Sequence, residues 1–263
     1  MKTLVNNLFV VTSGEEKNPP ILFVHGFPFN HEMWEAQIAV LNKNYFCVTY
    51  DIRGLGKSDP GDGQFTMDIF ADDLNSIIEH LKLNRPIVCG LSMGGYILLH
   101  AIGKMQGKLK ALILCDTKPS ADDNDTKLKR FNAIKRINQG DFNAFITEFV
   151  SNCFYEEFIS GKKAEFEKVL NRSKQNNPIG VKGCLLAMAA RLDTTDILSK
   201  IKIPTLIICG TEDKLSPPDV MMAMSDKING SEFQLIDSAG HMSPIEKPKI
   251  VNDAIRNFLK KIK

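Results

Sequence analysis

The sequence predicts an α/β fold: a mostly parallel, eight-stranded sheet with helices on both faces and a helical cap inserted between strands six and seven. Three observations predict it. Short apolar runs alternate with segments of helical periodicity, the pattern of parallel strands joined by crossover helices. One such run, Pro86-Ile87-Val88-Cys89, leads through Gly90-Leu91-Ser92-Met93-Gly94-Gly95 into an apolar stretch of helical length, so a glycine-flanked serine stands between a strand and a helix. From about Lys118 to Ser199 the alternation stops, and the chain reads as separate charged helices with no strand-like run. The expected division is a core of residues 1–117 and 200–263 and a cap of residues 118–199.

Each element has its own local reason. Thr3-Leu4-Val5 and Leu8-Phe9-Val10-Val11 are short β-like runs, and Asn6-Asn7 between them suits a tight hairpin because asparagine tolerates positive φ. After the polar loop Ser13–Pro20, Ile21–His25 is a continuous apolar run, as in a strand buried on both faces. Gly26-Phe27-Pro28-Phe29-Asn30 closes it, and a helix is expected around Met33–Leu41. The strand Tyr45–Tyr50 ends in the turn Asp51–Asp59. Thr66 is a suitable N-cap for a helix whose apolar positions are Ile69, Phe70, Leu74, Ile77, Ile78 and Leu81. The helix after Ser92 should end near Gly103 or Gly107, and Ala111–Cys115 is the next buried strand, closed by Asp116. Thr126–Asn138, Phe142–Asn152, Ala164–Lys174 and Val181–Ala190 read as the cap helices. Strands resume at Pro204–Gly210 and Glu232–Ile236, and a terminal amphipathic helix carries Lys260, Lys261 and Lys263 where cations complement the helix dipole.

Composition excludes several function classes. The 263 residues are 43% hydrophobic and 24% charged with a net charge of +2, which gives no reason to expect nucleic acid or an anionic membrane surface as partner. No segment approaches the roughly 20 apolar residues of a membrane span, and no apolar signal core opens the chain. The six cysteines, Cys47, Cys89, Cys115, Cys153, Cys184 and Cys209, lie far apart without metal-type spacing, and four fall in expected strands. They read as reduced core residues, consistent with the cytoplasm. Gly54-Leu55-Gly56-Lys57-Ser58 ends like a phosphate loop, but Asp51 stands where that motif needs a glycine. A turn in which Asp51 and Arg53 brace one another is expected instead. Asp72-Asp73 and Asp122-Asp123 are adjacent pairs whose side chains diverge, so both pairs are expected to be solvated. No cofactor and no metal is implied.

The chemistry centres on Ser92. A strand that drives through a sharp turn into a helix presents its serine at the strand tip in a strained conformation, and the flanking Gly90 and Gly94 leave room for it. A serine needs a neighbouring base. Of the five histidines, His31, His80 and His100 fall in or beside helices and read as structural or solvated. His241 follows a strand on the loop Ser238-Ala239-Gly240, at the same sheet edge as Ser92. The base needs an acid. Asp213, a few residues past a buried strand, preserves the chain order Ser, Asp, His; Asp116 at another strand end is its rival, and Glu212 should point differently. An oxyanion would be held by the backbone amides of Met93 and of Phe27, since Pro28 has no N–H. His25 should brace that loop, and Phe29 and Trp34 are candidates for the pocket wall.

With His25-Gly26, Asp51-x-Arg53-Gly54-x-Gly56-x-Ser58, Gly90–Gly95, Asp213 and Gly240-His241 in place, the chain resembles the α/β-hydrolase superfamily from about residue 20 onward. Within it the chain looks most like the 3-oxoadipate enol-lactonase and small carboxylesterase group, on Leu114-Cys115-Asp116-Thr117, Met188-Ala189-Ala190-Arg191 and Gly240-His241-Met242-Ser243. The resemblance implies a serine hydrolase that cleaves a small-molecule ester or lactone through an acyl-enzyme. Serine at position 92 argues against the relatives with an aspartate nucleophile. Three alternatives stay open: hydrolysis of a carbon–carbon bond, perhydrolysis on the same residues, and a non-enzymatic receptor that uses the capped pocket.

Overall fold

A computed structural model describes residues 1–262; Lys263, at the end of the cationic tail, lies outside the described residues. The chain opens with β1 (Lys2–Val5) and β2 (Leu8–Ser13), an antiparallel hairpin. Its turn residues Asn6 and Asn7 have φ of 49° and 65°, the doubly positive geometry that matches strand twist and that asparagine reaches at low cost. β3 (Pro20–Val24), β4 (Phe46–Tyr50), β5 (Ile87–Leu91) and β6 (Ala111–Cys115) follow, then β7 (Thr205–Gly210) and β8 (Glu232–Ile236).

The sheet order is β1-β2-β4-β3-β5-β6-β7-β8, and every neighbour from β4 to β8 is parallel. The chain goes from β3 outward to β4, then returns to the other side of β3 as β5. That reversal opens a crevice at the carboxyl ends of β3 and β5, where ligands of such sheets bind. All residues of β5, β6 and β7 are buried, as near-continuous apolar runs demand when helices cover both faces.

A 3-10 turn (His31–Trp34) runs into α1 (Glu35–Leu41). α2 (Met67–His80) is capped by Thr66, whose hydroxyl accepts the Ile69 N–H at 3.2 Å, and it buries Phe70, Leu74, Ile77 and Ile78. α3 (Met93–Met105) leaves the tip of β5. Between β6 and β7 the chain forms only helices: α4 (Asn124–Asn138), α5 (Phe142–Cys153), α6 (Glu156–Gly161), α7 (Lys163–Lys174), α8 (Pro178–Ala189) and a 3-10 turn, Thr195–Lys200. Asn176 ties this block to the sheet edge, accepting the Gly56 N–H at 2.7 Å and donating to the Pro28 carbonyl at 2.6 Å. α9 (Pro218–Asp226), α10 (Ser243–Glu246) and α11 (Pro248–Lys261) complete the fold. The sequence pattern predicts none of α6, α9 and α10; proline in the first turn of α9 and of α10 is the available signal. All six cysteines are free and buried, and no helix among the described residues is long and apolar enough to cross a membrane.

Two expectations about charges are overturned. Arg53 does not brace Asp51. It forks onto Asp73, with Nε and Nη2 at 2.9 and 2.5 Å from the two carboxylate oxygens. Asp73 is buried because it falls on the apolar stripe of α2, three residues after Phe70. Asp51 instead accepts the His31 N–H and Nδ1–H at 2.8 and 2.7 Å and the Lys57 N–H at 2.8 Å. Asp122 is likewise buried, held by Arg191 at 2.6 Å and by Arg130. Two guanidiniums, Arg130 eight residues on and Arg191 69 residues on, supply the partners that make its burial tolerable. Asp122→Ala would leave the buried Arg191 without its counter-charge and is expected to cost about 3–5 kcal/mol. Urea denaturation checks this, and a loss below ~1 kcal/mol would make the pair a surface-type ion pair.

Candidate active site

Ser92 sits between β5 and α3 at φ 53° and ψ −115°, a strained conformation for a residue with a side chain. Its N–H donates to the Cys115 carbonyl at 3.1 Å, and its carbonyl accepts the Thr117 hydroxyl at 2.8 Å. The turn packs tightly on the loop after β3. A Cβ on Gly94 would lie 2.3 Å from the Val24 carbonyl oxygen, and one on Gly26 would lie 3.2 Å from the Ser92 Cβ. Only glycine permits both approaches. They bring the Phe27 loop against the start of α3, and neither the Phe27 nor the Met93 amide finds an acceptor among the described residues. His25 holds that loop from below. Its Nδ1–H donates to the Gly26 carbonyl at 2.8 Å, and its Nε2 accepts the Ile52 N–H at 2.8 Å. Burial pushes the His25 imidazole down to about 4, so it stays neutral in this tautomer.

His241 lies on the loop after β8 and is buried. Its Nδ1 is 2.8 Å from Asp213 Oδ2, while Asp213 Oδ1 accepts the Leu215 and Ser216 N–H groups at 2.8 and 3.0 Å. With Nδ1–H donated to the carboxylate, Nε2 is left as the basic nitrogen. The histidine backbone is clamped as well. Glu246 Oε1 accepts the Gly240 and Met242 N–H groups at 3.0 and 3.1 Å, and the His241 N–H reaches the Cys153 carbonyl at 2.9 Å. Glu246 was not picked out from the sequence; its place five residues after His241, at the end of a one-turn helix, was the only clue.

Asp116, the rival acid, does not meet His241. At φ 45° on the tip of β6, its Oδ1 accepts the Gly210 N–H at 2.9 Å, and its Oδ2 is 2.5 Å from the Ser243 hydroxyl. Burial, then the neighbouring Asp213, push the Asp116 carboxyl well above the usual carboxylate range. Asp116, Cys209 and Asp213 present donor atoms within 4.8 Å of one another. Each of those atoms already has a protein partner. Among the other histidines, His31 pairs with Asp51 and His100 with Asp68 at 3.0 Å, while His80 is exposed.

Ser92, His241 and Phe27 line one cavity of about 550 Å³, roofed by Phe145, Phe149 and Leu185 of the helical block. Phe27 meets Phe149 edge-on, with ring centroids 5.1 Å apart. Phe29 and Trp34 do not reach it, which corrects the expected pocket wall. Trp34 is fully buried against Phe23, and Phe29 packs edge-on against Phe154 beside a separate cavity of about 210 Å³. Trp34 thus fills the core over β3, and Phe29 fills the seam with the helical block, each burying a large aromatic surface. The wall residues the sequence reading missed include Tyr96, one turn along α3 from Ser92, and Lys118 just past β6.

Comparison with known proteins agrees with this fold. The α/β hydrolase fold family matches residues 19–248. A thermophilic esterase from Thermogutta terrifontis, solved with malate bound, is 35% identical, with 97% of this chain and 93% of that one covered and a TM-score of 0.93. 3-Oxoadipate enol-lactonase 2 from Acinetobacter baylyi is 25% identical over 254 residues, 95% of this chain and 92% of the relative. A bifunctional esterase/perhydrolase from Acinetobacter calcoaceticus is 26% identical over 268 residues, 97% and 96% of the two chains. A serine on the sharp turn after β5, a mostly parallel sheet that reverses beside it, and a family match across most of the length lead to one assignment: the chain belongs to the α/β-hydrolase family.

Proposed function

We propose that the protein is a serine hydrolase that cleaves a carboxylic ester or lactone. The observation that carries this reading is the shared cavity: Ser92 at the tip of β5 and His241, backed by Asp213, line the same 550 Å³ space. Ser92 Oγ attacks the carbonyl carbon while His241 Nε2 takes its proton. Asp213 holds the Nδ1–H tautomer and stabilises the imidazolium. The Phe27 and Met93 amides receive the oxyanion of the tetrahedral intermediate. Collapse expels the alkoxide, protonated by His241, and leaves an acyl-Ser92 ester. Water, deprotonated by His241, then releases the acid. Residues 118–199 act as the cap and residues 1–117 and 200–263 as the core. The six free, buried cysteines support a cytoplasmic setting.

The esterase/perhydrolase relative supports a second use of the same acyl-enzyme, in which hydrogen peroxide replaces water as the acyl acceptor. A fluorophosphonate probe tests the shared step. Its phosphorus should be found on the peptide containing Ser92 by mass spectrometry, with no labelling after heat denaturation. Labelling elsewhere, or none alongside a failure to turn over any ester or lactone in a broad screen, would favour the receptor reading.

A further inference from the structure

We propose that the substrate carries a carboxylate in addition to its scissile bond, and that Lys118 on the cavity wall is the residue that binds it. This rests on the hydrolase reading above for the reaction but not for the binding site itself.

The charges on the cavity wall do not balance. Lys118, Lys129, Arg130, Arg136 and Lys214 face it against one acid, Glu148. Three of these cations are already engaged or solvated. Arg136 bonds Asp141 and Glu148, each at 2.8 Å. Lys214 is exposed and 4.0 Å from Glu156. Lys129 is exposed as well. Of the remaining two, Arg130 belongs to a largely buried cluster: it shares the single carboxylate of Asp122 with Arg191, and Arg191 lies 4.1 Å over the ring of Tyr96, itself a cavity residue. Lys118 stands beside this cluster, and its ammonium has no hydrogen-bonding or ion-pair partner among the described residues. Two guanidiniums and one ammonium therefore face one carboxylate. Asp123 is the next acid, but it is exposed and caps α4 by accepting the Thr126 N–H at 2.8 Å.

Such an arrangement is costly for an empty wall. Burial, then the charge of Arg191, hold the Lys118 ammonium below its ordinary range, with Asp122 opposing. An unpaired cation on a half-buried surface next to other cations is the reverse of how folded proteins place lysines. A ligand carboxylate would supply the missing counter-charge and accept the ammonium donors. The position is right for a substrate. Thr117, the chain neighbour of Lys118, bonds the Ser92 carbonyl, so the lysine is tied to the turn that carries Ser92. On the same cavity wall, Phe27, Phe149, Leu185 and Met188 offer the carbon skeleton an apolar bed.

Two esters with the same leaving group separate charge from chemistry: p-nitrophenyl butyrate, which is neutral, and mono-p-nitrophenyl glutarate, which ends in a carboxylate. The wild-type protein should favour the glutarate ester in kcat/KM. Lys118→Gln should reduce that preference about tenfold or more, chiefly through KM, because a charge-assisted hydrogen bond is lost. Lys118→Arg should restore most of it. Calorimetry with glutarate alone reads the same site without turnover, and its affinity should fall by a similar factor in Lys118→Gln. Glutarate binding that depends on Lys118, with neither ester cleaved, would uphold the carboxylate site and remove the hydrolase reading. Cleavage of the butyrate ester with no preference for the glutarate ester, or a preference unchanged in Lys118→Gln, would overturn the carboxylate site and leave the hydrolase reading intact.

Discussion

Ser92→Ala is expected to lower turnover of a short-chain p-nitrophenyl ester by about 10⁵–10⁶-fold while the melting temperature stays unchanged. The loss is large because the proposed chemistry has a single nucleophile. Without Oγ, His241 can at most activate water, with the oxyanion donors and binding contacts still in place. The fold should not respond. Serine and alanine bear the same strain at φ 53°, and the contacts that hold the turn are made by the Ser92 backbone, to Cys115 and Thr117. Initial rates across enzyme concentration and a thermal melt check both halves. Residual activity within about tenfold of wild type would sink the mechanism rather than adjust it, since no nucleophile other than Ser92 shares the cavity with His241 in a comparable position.

Much of this site was legible because its parts are tied to strand ends. In a parallel sheet, a residue just past an apolar run lies at a known edge, so the sequence alone assigns Ser92, Asp213 and His241 to one edge. The glycines flanking Ser92 carried their meaning locally, in one turn. What could not be read depended on contacts between distant segments. Asp122 looks like half of a solvated acidic pair until Arg191, 69 residues away, closes on it. Asp73 could have been found, because its spacing from Phe70, Leu74 and Ile77 already puts it on the buried stripe of α2. Phe29 and Trp34 failed for another reason. Whether an aromatic beside an active-site loop turns toward the cavity or toward the core depends on how the helical block docks, which local sequence does not encode. Lys118 has no pattern at all around it; only the missing partner marks it.

Asp213→Asn is expected to lower kcat by about 10⁴-fold, whereas Asp116→Asn should stay within about tenfold of wild type. The two carboxylates are close, yet their hydrogen bonds give them opposite tolerances. Asp213 Oδ1 is committed to the Leu215 and Ser216 amides, so an asparagine there must keep its oxygen on that side and turn its NH₂ toward His241. Nδ1 then has to accept, the ring proton moves to Nε2, and Nε2 can no longer take a proton from Ser92. Asp116 Oδ1 accepts the Gly210 amide and Oδ2 meets the Ser243 hydroxyl. An asparagine reproduces that pattern as a protonated acid would, with its NH₂ donating to Ser243, and asparagine also tolerates the φ of 45°. The stability consequence has a definite sign. Because burial and Asp213 raise the Asp116 carboxyl in the folded protein, the native state retains a proton that the unfolded chain loses above pH ~4. Wild-type stability from this group therefore falls as pH rises through that window, and Asp116→Asn removes the dependence. The variant should gain stability relative to wild type between about pH 5 and about pH 8. Urea titrations at the two pH values measure the gain, and kcat at neutral pH measures the tolerance. An Asp116→Asn enzyme that lost activity while Asp213→Asn kept it would transfer the role of histidine partner to Asp116, and with it the reason for the Ser243 contact.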